Sequence, residues 1–273
     1  MMELLGSTFD DSMFVESRDR ESVTLKSYNA KVCEPRWFCA EAALDTNDSL
    51  EKQKVMKFRG DLAMRKGEHQ KAYDSYSACL EWISDNNLNI RRDVLEGMAR
   101  CCINMGQREK ALELVDLLNK EASNTCHLTS LLLLKTSIYH HFGDVEAQIS
   151  CLQQLCSLLP FNPWHWLDLG KTCLQLLSCN NITESSKDHQ SELVKLQQGG
   201  DAADLNEDTI WLKACTCFIR SRLLLKILQQ QQSSFVLTRT EKAQEETDQA
   251  LLQLSPTETT IQNLTEVRPI KSS

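Results

Sequence analysis

The sequence of 273 residues contains none of the short motifs that mark the common enzyme classes. It has no glycine loop that would cradle a phosphate, no GxSxG nucleophile elbow and no HExxH zinc motif. Its glycines are explained by helix turns and by close packing between helices. We therefore expect a protein that is not an enzyme, with no catalytic residue, no cofactor and no metal ligand.

An excess of basic charge and long apolar runs are also missing. The formal net charge is −8, which argues against general nucleic-acid binding, because such binding needs a basic surface to neutralise phosphate. The apolar stretches Leu131–Leu134 and Leu223–Leu228 are too short to span a bilayer, and residues 1–11 lack the features of a signal peptide. The expected location is intracellular, in the cytoplasm, the nucleus or both, and the protein is expected to be neither secreted nor membrane-bound.

Cysteine is abundant, with twelve residues, but no CxxC pair occurs. A zinc ribbon or a thioredoxin-like site therefore has no basis in this sequence. Reduced cysteine behaves as a small buried hydrophobe that suits close helix packing. Most of the cysteines fall at small apolar positions of predicted helices, where we expect structural thiols: Cys79, Cys101, Cys102, Cys151, Cys156, Cys173, Cys215 and Cys217.

A helix pair recurs four times between residues 50 and 180. Small residues mark the same offsets in the first two copies, where Gly67-x4-Ala72 and Gly106-x4-Ala111 lie thirty-nine residues apart. Such a period predicts a solenoid of paired helices. A solenoid offers an extended surface for binding, so the pattern favours a binding scaffold over a catalyst.

The later copies are less regular. In the third copy the small residue is Ala147, one place early, and Gln148 takes the usual position. The fourth copy opens with Trp166-x2-Leu169-Gly170 and supplies only a first helix, to about residue 177. After a polar stretch, a helical period returns at residue 208 and is well placed to complete the fourth pair.

These patterns divide the chain into five parts. Near the start, Trp37 and Phe38 favour a cap over the open end of the solenoid, with an exposed recognition motif as the alternative. The predicted parts are an N-terminal extension (1–50, with a partly ordered cap around 30–40), helical repeats (51–177), a flexible insertion (178–208), a C-terminal helix that completes or caps the solenoid (209–237) and a largely disordered tail (238–273).

The repeats resemble the tetratricopeptide repeat family over roughly residues 52–177. The resemblance rests on the Gly-x6-Gly-x4-Ala-x3-Tyr pattern that begins at Gly60, on Pro160 closing the third copy, and on Trp166-x2-Leu169-Gly170. It implies an all-α, TPR-like helical repeat solenoid. The whole chain also resembles an uncharacterised vertebrate open-reading-frame family from human chromosome 8, through Ala30–Phe38, Pro160–Trp166, Leu212–Cys215 and Phe218–Arg220.

The tetratricopeptide resemblance implies that the first helix of each pair lines a peptide-binding groove. Transferring the family's groove positions gives Lys54, Lys57, Asp61, Met64 and Arg65 from the first repeat, Asp93, Glu96, Arg100, Ile103 and Asn104 from the second, Ser130, Leu133, Ser137, His140 and His141 from the third, and Trp164, Leu167, Lys171 and Leu174 from the fourth. The candidate partner-binding residues are Lys57, Arg65, Arg100, Leu133, His140, Trp164 and Lys171.

Two details refine the predicted groove. A subclass of the family grips carboxylate tails of chaperones with lysine and asparagine, but here Asp61 and Arg100 stand where asparagine is needed, which argues against that ligand. Trp164 either faces the groove as an aromatic anchor or is covered by the insertion or the N-terminal segment. His140 and His141, being adjacent on a helix, splay apart and are expected in solvent.

The function expected from this sequence is a non-enzymatic scaffold that binds a peptide or helix of an unidentified protein partner. One alternative is a nuclear regulatory protein associated with nucleic acid, with Arg220–Lys226 and Lys54–Arg65 as its contacts. Another is an obligate structural subunit whose solenoid packs permanently on a partner.

Overall fold

A computed structural model of the chain describes residues 36–84, 86–184, 207–230 and 234–265. Across these residues the chain forms helices and no strand, so the all-α prediction is confirmed. Two short 3-10 turns, Trp37–Cys39 and Glu41–Leu44, come first. The α-helices follow as α1 (Ser49–Arg65), α2 (His69–Leu80), α3 (Leu88–Asn104), α4 (Arg108–Lys120), α5 (Thr125–His141), α6 (Val145–Leu158), α7 (Pro163–Glu184), α8 (Glu207–Gln229), α9 (Ser234–Leu254) and α10 (Glu258–Thr265).

The helices pack mainly on their neighbours in sequence, as in a solenoid. Each of α1 to α8 packs against the helix that follows it, and α10 packs on α8. The first helices of the first three pairs also touch, α1 with α3 and α3 with α5, whereas α5 with α7 and the successive second helices form no comparable contact in the described part of the chain. The first helices therefore lie on the inner side of the stack, and the predicted helical repeat solenoid is confirmed.

The turn inside each of the first three pairs has the same backbone geometry. Gly67, Gly106 and Gly143 have φ of 76°, 72° and 73°, a left-handed conformation that glycine adopts without steric cost. In each case the residue after the glycine donates its N–H to a carbonyl in the last turn of the preceding helix. These bonds are Glu68 N to Ala63 O (2.9 Å), Gln107 N to Cys102 O (2.8 Å) and Asp144 N to Tyr139 O (2.9 Å).

A buried aromatic ring packs onto a helix glycine in both the first and the fourth pair. A Cβ atom built on Gly60 would lie 2.6 Å from the Tyr76 ring, and one built on Gly170 would lie 3.0 Å from the Phe218 ring. The contact that joins α1 to α2 is thus repeated between α7 and α8. Helix α8 is therefore the second helix of the fourth pair, although residues 185–206, most of the predicted insertion, lie outside the described residues.

The N-terminal 3-10 turns lie against α1. The Phe58 ring on α1 packs against the rings of Trp37 (centroids 6.2 Å apart) and Phe38 (5.5 Å). Arg59 donates from Nε to the carbonyl oxygen of Phe38 (2.7 Å) and from Nη2 to that of Ala40 (2.9 Å). These contacts place residues 37–44 over the first helix of the solenoid.

The C-terminal region differs from the prediction of a largely disordered tail over 238–273. That prediction is wrong for the described residues, because α9 and α10 occupy most of 238–265. Helix α9 packs on α8 and buries Thr240, Ala243, Thr247 and Leu251. These inward positions have helical spacing, but three of them hold threonine or alanine, so their hydrophobic signal in the sequence is weak. The fourth-pair first helix also runs further than expected, to Glu184.

Two hydrophobic cores meet at α5. Leu131, Leu134 and Ile138 of this helix belong to the core built by α1–α4, whereas Leu132 belongs to the core built by α6–α9. Gln148, at the position that holds Ala72 and Ala111 in the first two pairs, is buried in the second core region. The third pair therefore keeps the register of the others, with a polar residue in place of alanine.

His165 predicts a specific pH dependence of stability. Its side chain is buried in α7, and burial lowers its pKa below the ordinary value of histidine, with nearby Asp168 acting more weakly in the opposite direction. The unfolded chain therefore takes up a proton below about pH 6.5 that the folded chain does not, so stability falls as pH falls through that value. The free energy of unfolding of His165→Gln should decline less than that of the wild type between about pH 7.5 and about pH 5.5. An equal decline in both proteins would contradict this.

Candidate functional site

Two cavities flank α5 on the inner side of the solenoid. The α3–α5 cavity has a volume of about 310 Å³ and the α5–α7 cavity about 370 Å³. The first is lined by Asn89, Ile90, Arg92, Asp93, Glu96, Leu118, His127, Ser130, Leu131 and Leu134. The second is lined by Leu133, Thr136, Ser137, His140, Gln148, Asp168, Lys171, Thr172 and Gln175.

Helix α5 lies between the two cavities and contributes residues to both. It is apolar on more than one face. Leu131, Leu134 and Ile138 pack into the N-terminal core, whereas Leu133 remains 43% exposed. Because Leu133 lines the α5–α7 cavity, its exposed surface is accessible to a ligand that enters there. Leu133 is thus the apolar wall of the α5–α7 cavity.

The floor of the α5–α7 cavity is a short chain of hydrogen bonds. Buried Gln148 donates from Nε2 to Oγ1 of Thr172 (3.2 Å), and that hydroxyl donates to the carbonyl oxygen of Asp168 (2.8 Å). Buried polar groups need such partners. Gln148 and Thr172 therefore hold α6 against α7, and their hydrogen-bonding groups are already used within the protein.

Opposite charges lie at the rim of the same cavity. Lys171 forms an ion pair with Glu246 of α9, with 2.6 Å between Nζ and Oε2. Asp168, one turn earlier on α7, is exposed and has no ion pair within 4 Å in the described part of the chain. Burial by the surrounding helices nevertheless raises the pKa of its carboxyl, an effect that Lys171 and His165 partly oppose.

The α3–α5 cavity has an apolar floor and a charged rim. Ile90, Leu118 and Leu131 supply apolar surface. On the rim, Glu96 binds Arg100 of the same helix (2.7 Å), and Arg92 donates to Asn89. The ion pair compensates the charge of Glu96, whereas the neutral amide of Asn89 leaves the charge of Arg92 in place.

Three of the seven predicted contact residues, Leu133, His140 and Lys171, come together in the α5–α7 cavity. The other basic candidates lie outside both cavities. Lys57 pairs with Asp61 (3.2 Å), which also accepts a bond from the Tyr76 hydroxyl (2.8 Å). Arg100 is held by Glu96, and Arg65 is exposed at the end of α1.

Trp164 is half-buried and packs at the edge of the second core. The guanidinium of Arg239 on α9 lies 4.2 Å from the centroid of its ring, a cation–π contact. Helix α9 therefore contacts Trp164, whereas most of the insertion and of the N-terminal segment, which the sequence offered as covers, lies outside the described residues. Together with the Lys171–Glu246 pair, this contact fastens α9 along α7.

Two residues assigned to the groove are core residues instead. Ile103 is 6% exposed and Leu167 is 3% exposed, so their assignment to the groove was wrong. Conversely, the groove positions missed Asp168 and Gln175, which lie on the same face of α7 as Lys171 at helical spacing. The i, i+3, i+7 spacing of Asp168, Lys171 and Gln175 is visible in the sequence and is the signal that could have identified the two missed residues.

The buried thiols behave as structural residues. All eight cysteines expected in the packed helices are buried, which confirms that part of the prediction. Burial raises the pKa of Cys79, Cys101, Cys173 and Cys215 to about 11. Thiols with such pKa values stay protonated and are poor nucleophiles.

The described residues hold no cluster of three His, Cys, Asp or Glu side chains with the spacing of a metal site. Of the helices they form, none combines the length and apolar character required to cross a bilayer. Among the late basic residues, Arg222 forms an ion pair with Asp248 of α9 (3.6 Å).

The sequence matches the profile of a family described as a family of unknown function (DUF5588), over residues 3–195 and 176–270. It is 35% identical to the human Uncharacterized protein C8orf76, across 97% of this chain and 82% of that protein. Identity to the C8orf76 homolog of Rattus norvegicus is 33%, across 94% and 80% of the two chains. The crystal structure of MamA protein aligns at 13% identity and a TM-score of 0.38, over 81% of this chain and 98% of that chain, which is too low to bear on the fold. The chain belongs to the DUF5588 family, as the profile match and the vertebrate relatives show.

Proposed function

We propose that this protein is a non-enzymatic scaffold that binds a peptide or helix of a partner protein along the first helices α3, α5 and α7. The observation that carries the proposal is the exposed Leu133, which stands in the α5–α7 cavity and beside the α3–α5 cavity. Binding sites are concave and combine apolar surface with a few polar groups. The α3–α5 cavity supplies several apolar side chains, and in the α5–α7 cavity Leu133 supplies one among polar groups.

The distribution of packing supports the same surface. The outer helices pack against the cores. On the inner face, the exposed Leu133, His140 and the unpaired carboxylate of Asp168 lie close together. An extended segment that crosses α5 reaches both cavities without any change in the helix pairs. Partner binding to a preformed surface of this kind avoids the free-energy cost of rearranging the protein.

Leu133→Asp should weaken partner binding by about tenfold or more, because it places a charge where the ligand buries apolar surface. Folding should be little affected, since the side chain is exposed. The probe is a peptide enriched on the full chain from a displayed random-peptide library, and its affinity is measured by fluorescence polarisation.

Leu117→Asp is the matched control. Leu117 is similarly exposed (40%), but it lies on α4, the second, outer helix of its pair. It should leave the affinity unchanged. Equal affinities for the wild type and both variants would refute the inner-face proposal, and so would a library that yields no binding peptide.

A further inference from the structure

We infer that the ligand places a lysine or arginine side chain in the α5–α7 cavity, with its aliphatic stem along Leu133 and its charged end at Asp168. This inference rests on the proposed function and names the chemistry that the bound segment must carry. It follows from which groups around the cavity are already paired and which remain free.

Several polar groups of the cavity are saturated within the protein. The hydroxyl of Thr136 donates to the carbonyl oxygen of Leu132 (2.8 Å), and that of Thr172 donates to Asp168 O while accepting from Gln148. No hydrogen bond within the described part of the chain engages the Asp168 carboxylate or the side chains of Ser137, His140 and Gln175. These free groups determine what the cavity recognises.

Charge decides between an acidic and a basic ligand. Lys171, the cation of the cavity, forms its ion pair with Glu246 at 2.6 Å and only partly offsets the effect of burial on Asp168. The carboxylate of Asp168 has no such partner, and the walls around it remove part of its hydration, as the raised pKa of this carboxyl indicates. A cation restores the lost stabilisation, whereas an incoming carboxylate meets the like charges of Asp168 and Glu246.

The size of the cavity leaves room for a single long side chain. The volume of about 370 Å³ lies at the lower end of the range of ligand pockets, about 300–1,000 Å³. Leu133 offers apolar surface to a methylene stem, in the way that lysine and arginine stems cover apolar surface while their charged ends stay hydrated. The cavity therefore fits an anchor residue of a longer bound segment.

The test uses the full chain and peptides enriched from the same kind of displayed random-peptide library. The enriched peptides should share a lysine or arginine next to an apolar residue. Asp168→Asn should weaken the best peptide by about tenfold, the loss expected for one charged hydrogen bond. Asp116→Asn, which changes an exposed carboxylate on α4 outside both cavities, is the matched control and should leave the affinity unchanged.

Replacing the peptide's basic residue with glutamine should weaken binding to the wild type but have little further effect on Asp168→Asn, as in a double-mutant cycle. Peptides that depend on Leu133 but ignore Asp168, or that share acidic residues, would overturn this inference and leave the scaffold proposal intact. Peptides indifferent to both residues, or no enriched peptide, would overturn both.

Discussion

Phe218→Ala should destabilise the full chain by about 3–5 kcal/mol, the usual cost of removing a buried phenylalanine. Phe218 has no exposed surface, and its ring fills the space above Gly170 on α7. Since α7 has no side chain there to move into the void, the cavity left by the ring stays open. The free energy of unfolding, measured by urea denaturation followed by circular dichroism, reports the loss.

The size of this effect tests whether α8 is truly the second helix of the fourth pair. Leu212→Ala on the same helix is the control, because Leu212 is 44% exposed, and it should cost about 0.5 kcal/mol or less. If the two variants were equally stable, α8 would not be packed on α7 through Phe218, and the fourth pair would have to be reassigned.

Gly60→Ala should destabilise the protein by about 1–3 kcal/mol, as overpacking of a core does. A loss of stability would be informative, because alanine in a helix interior is otherwise favoured over glycine by about 0.5–1 kcal/mol. The new Cβ would lie 2.6 Å from the Tyr76 ring, and on its other side the ring is held by Gly97, where a Cβ would lie 2.9 Å away. The Tyr76 hydroxyl is also bonded to Asp61 (2.8 Å), so the ring has no room to swing aside.

A second substitution separates overpacking from other causes. In a Tyr76→Leu background the ring is gone, and adding Gly60→Ala should then be neutral or stabilising. Urea denaturation of the four proteins gives the coupling free energy between the two positions. Additive effects would mean that the close approach of α1 to α2 does not depend on the ring.

The sequence predicted the helix pairs because the residues that allow close approach are few and distinctive. Gly67 and Gly106 mark turns that need a left-handed backbone, and Gly60 and Gly170 mark contacts with buried rings. Helix α9 escaped prediction because its inward face holds Thr240 and Thr247 in place of large apolar residues. Tertiary packing, which a local pattern does not contain, makes that helix stable.

The candidate site was predictable only in part. Offsets along a helix placed Leu133, His140 and Lys171 on one surface, and all three line the α5–α7 cavity. The same offsets also assigned Ile103 and Leu167, which are buried, to that surface. A one-residue offset turns a side chain by about 100° around a helix. A small error of register therefore assigns a core residue to the groove, or a groove residue to the core. The ion pair between Lys171 and Glu246 depends on how α9 folds back, and no short-range pattern encodes it.

We expect the inner face around α5, and not the outer helices, to contact the partner. Site-specific photocrosslinking in cells tests it even while the partner is unidentified, by placing a photoreactive phenylalanine analogue at Leu133 or at Leu117, which are similarly exposed. We predict a discrete crosslinked product from position 133, lost when Asp168→Asn is added, and none from position 117. Crosslinking from position 117 alone, or equally from both positions, would show that the partner does not bind at the inner face.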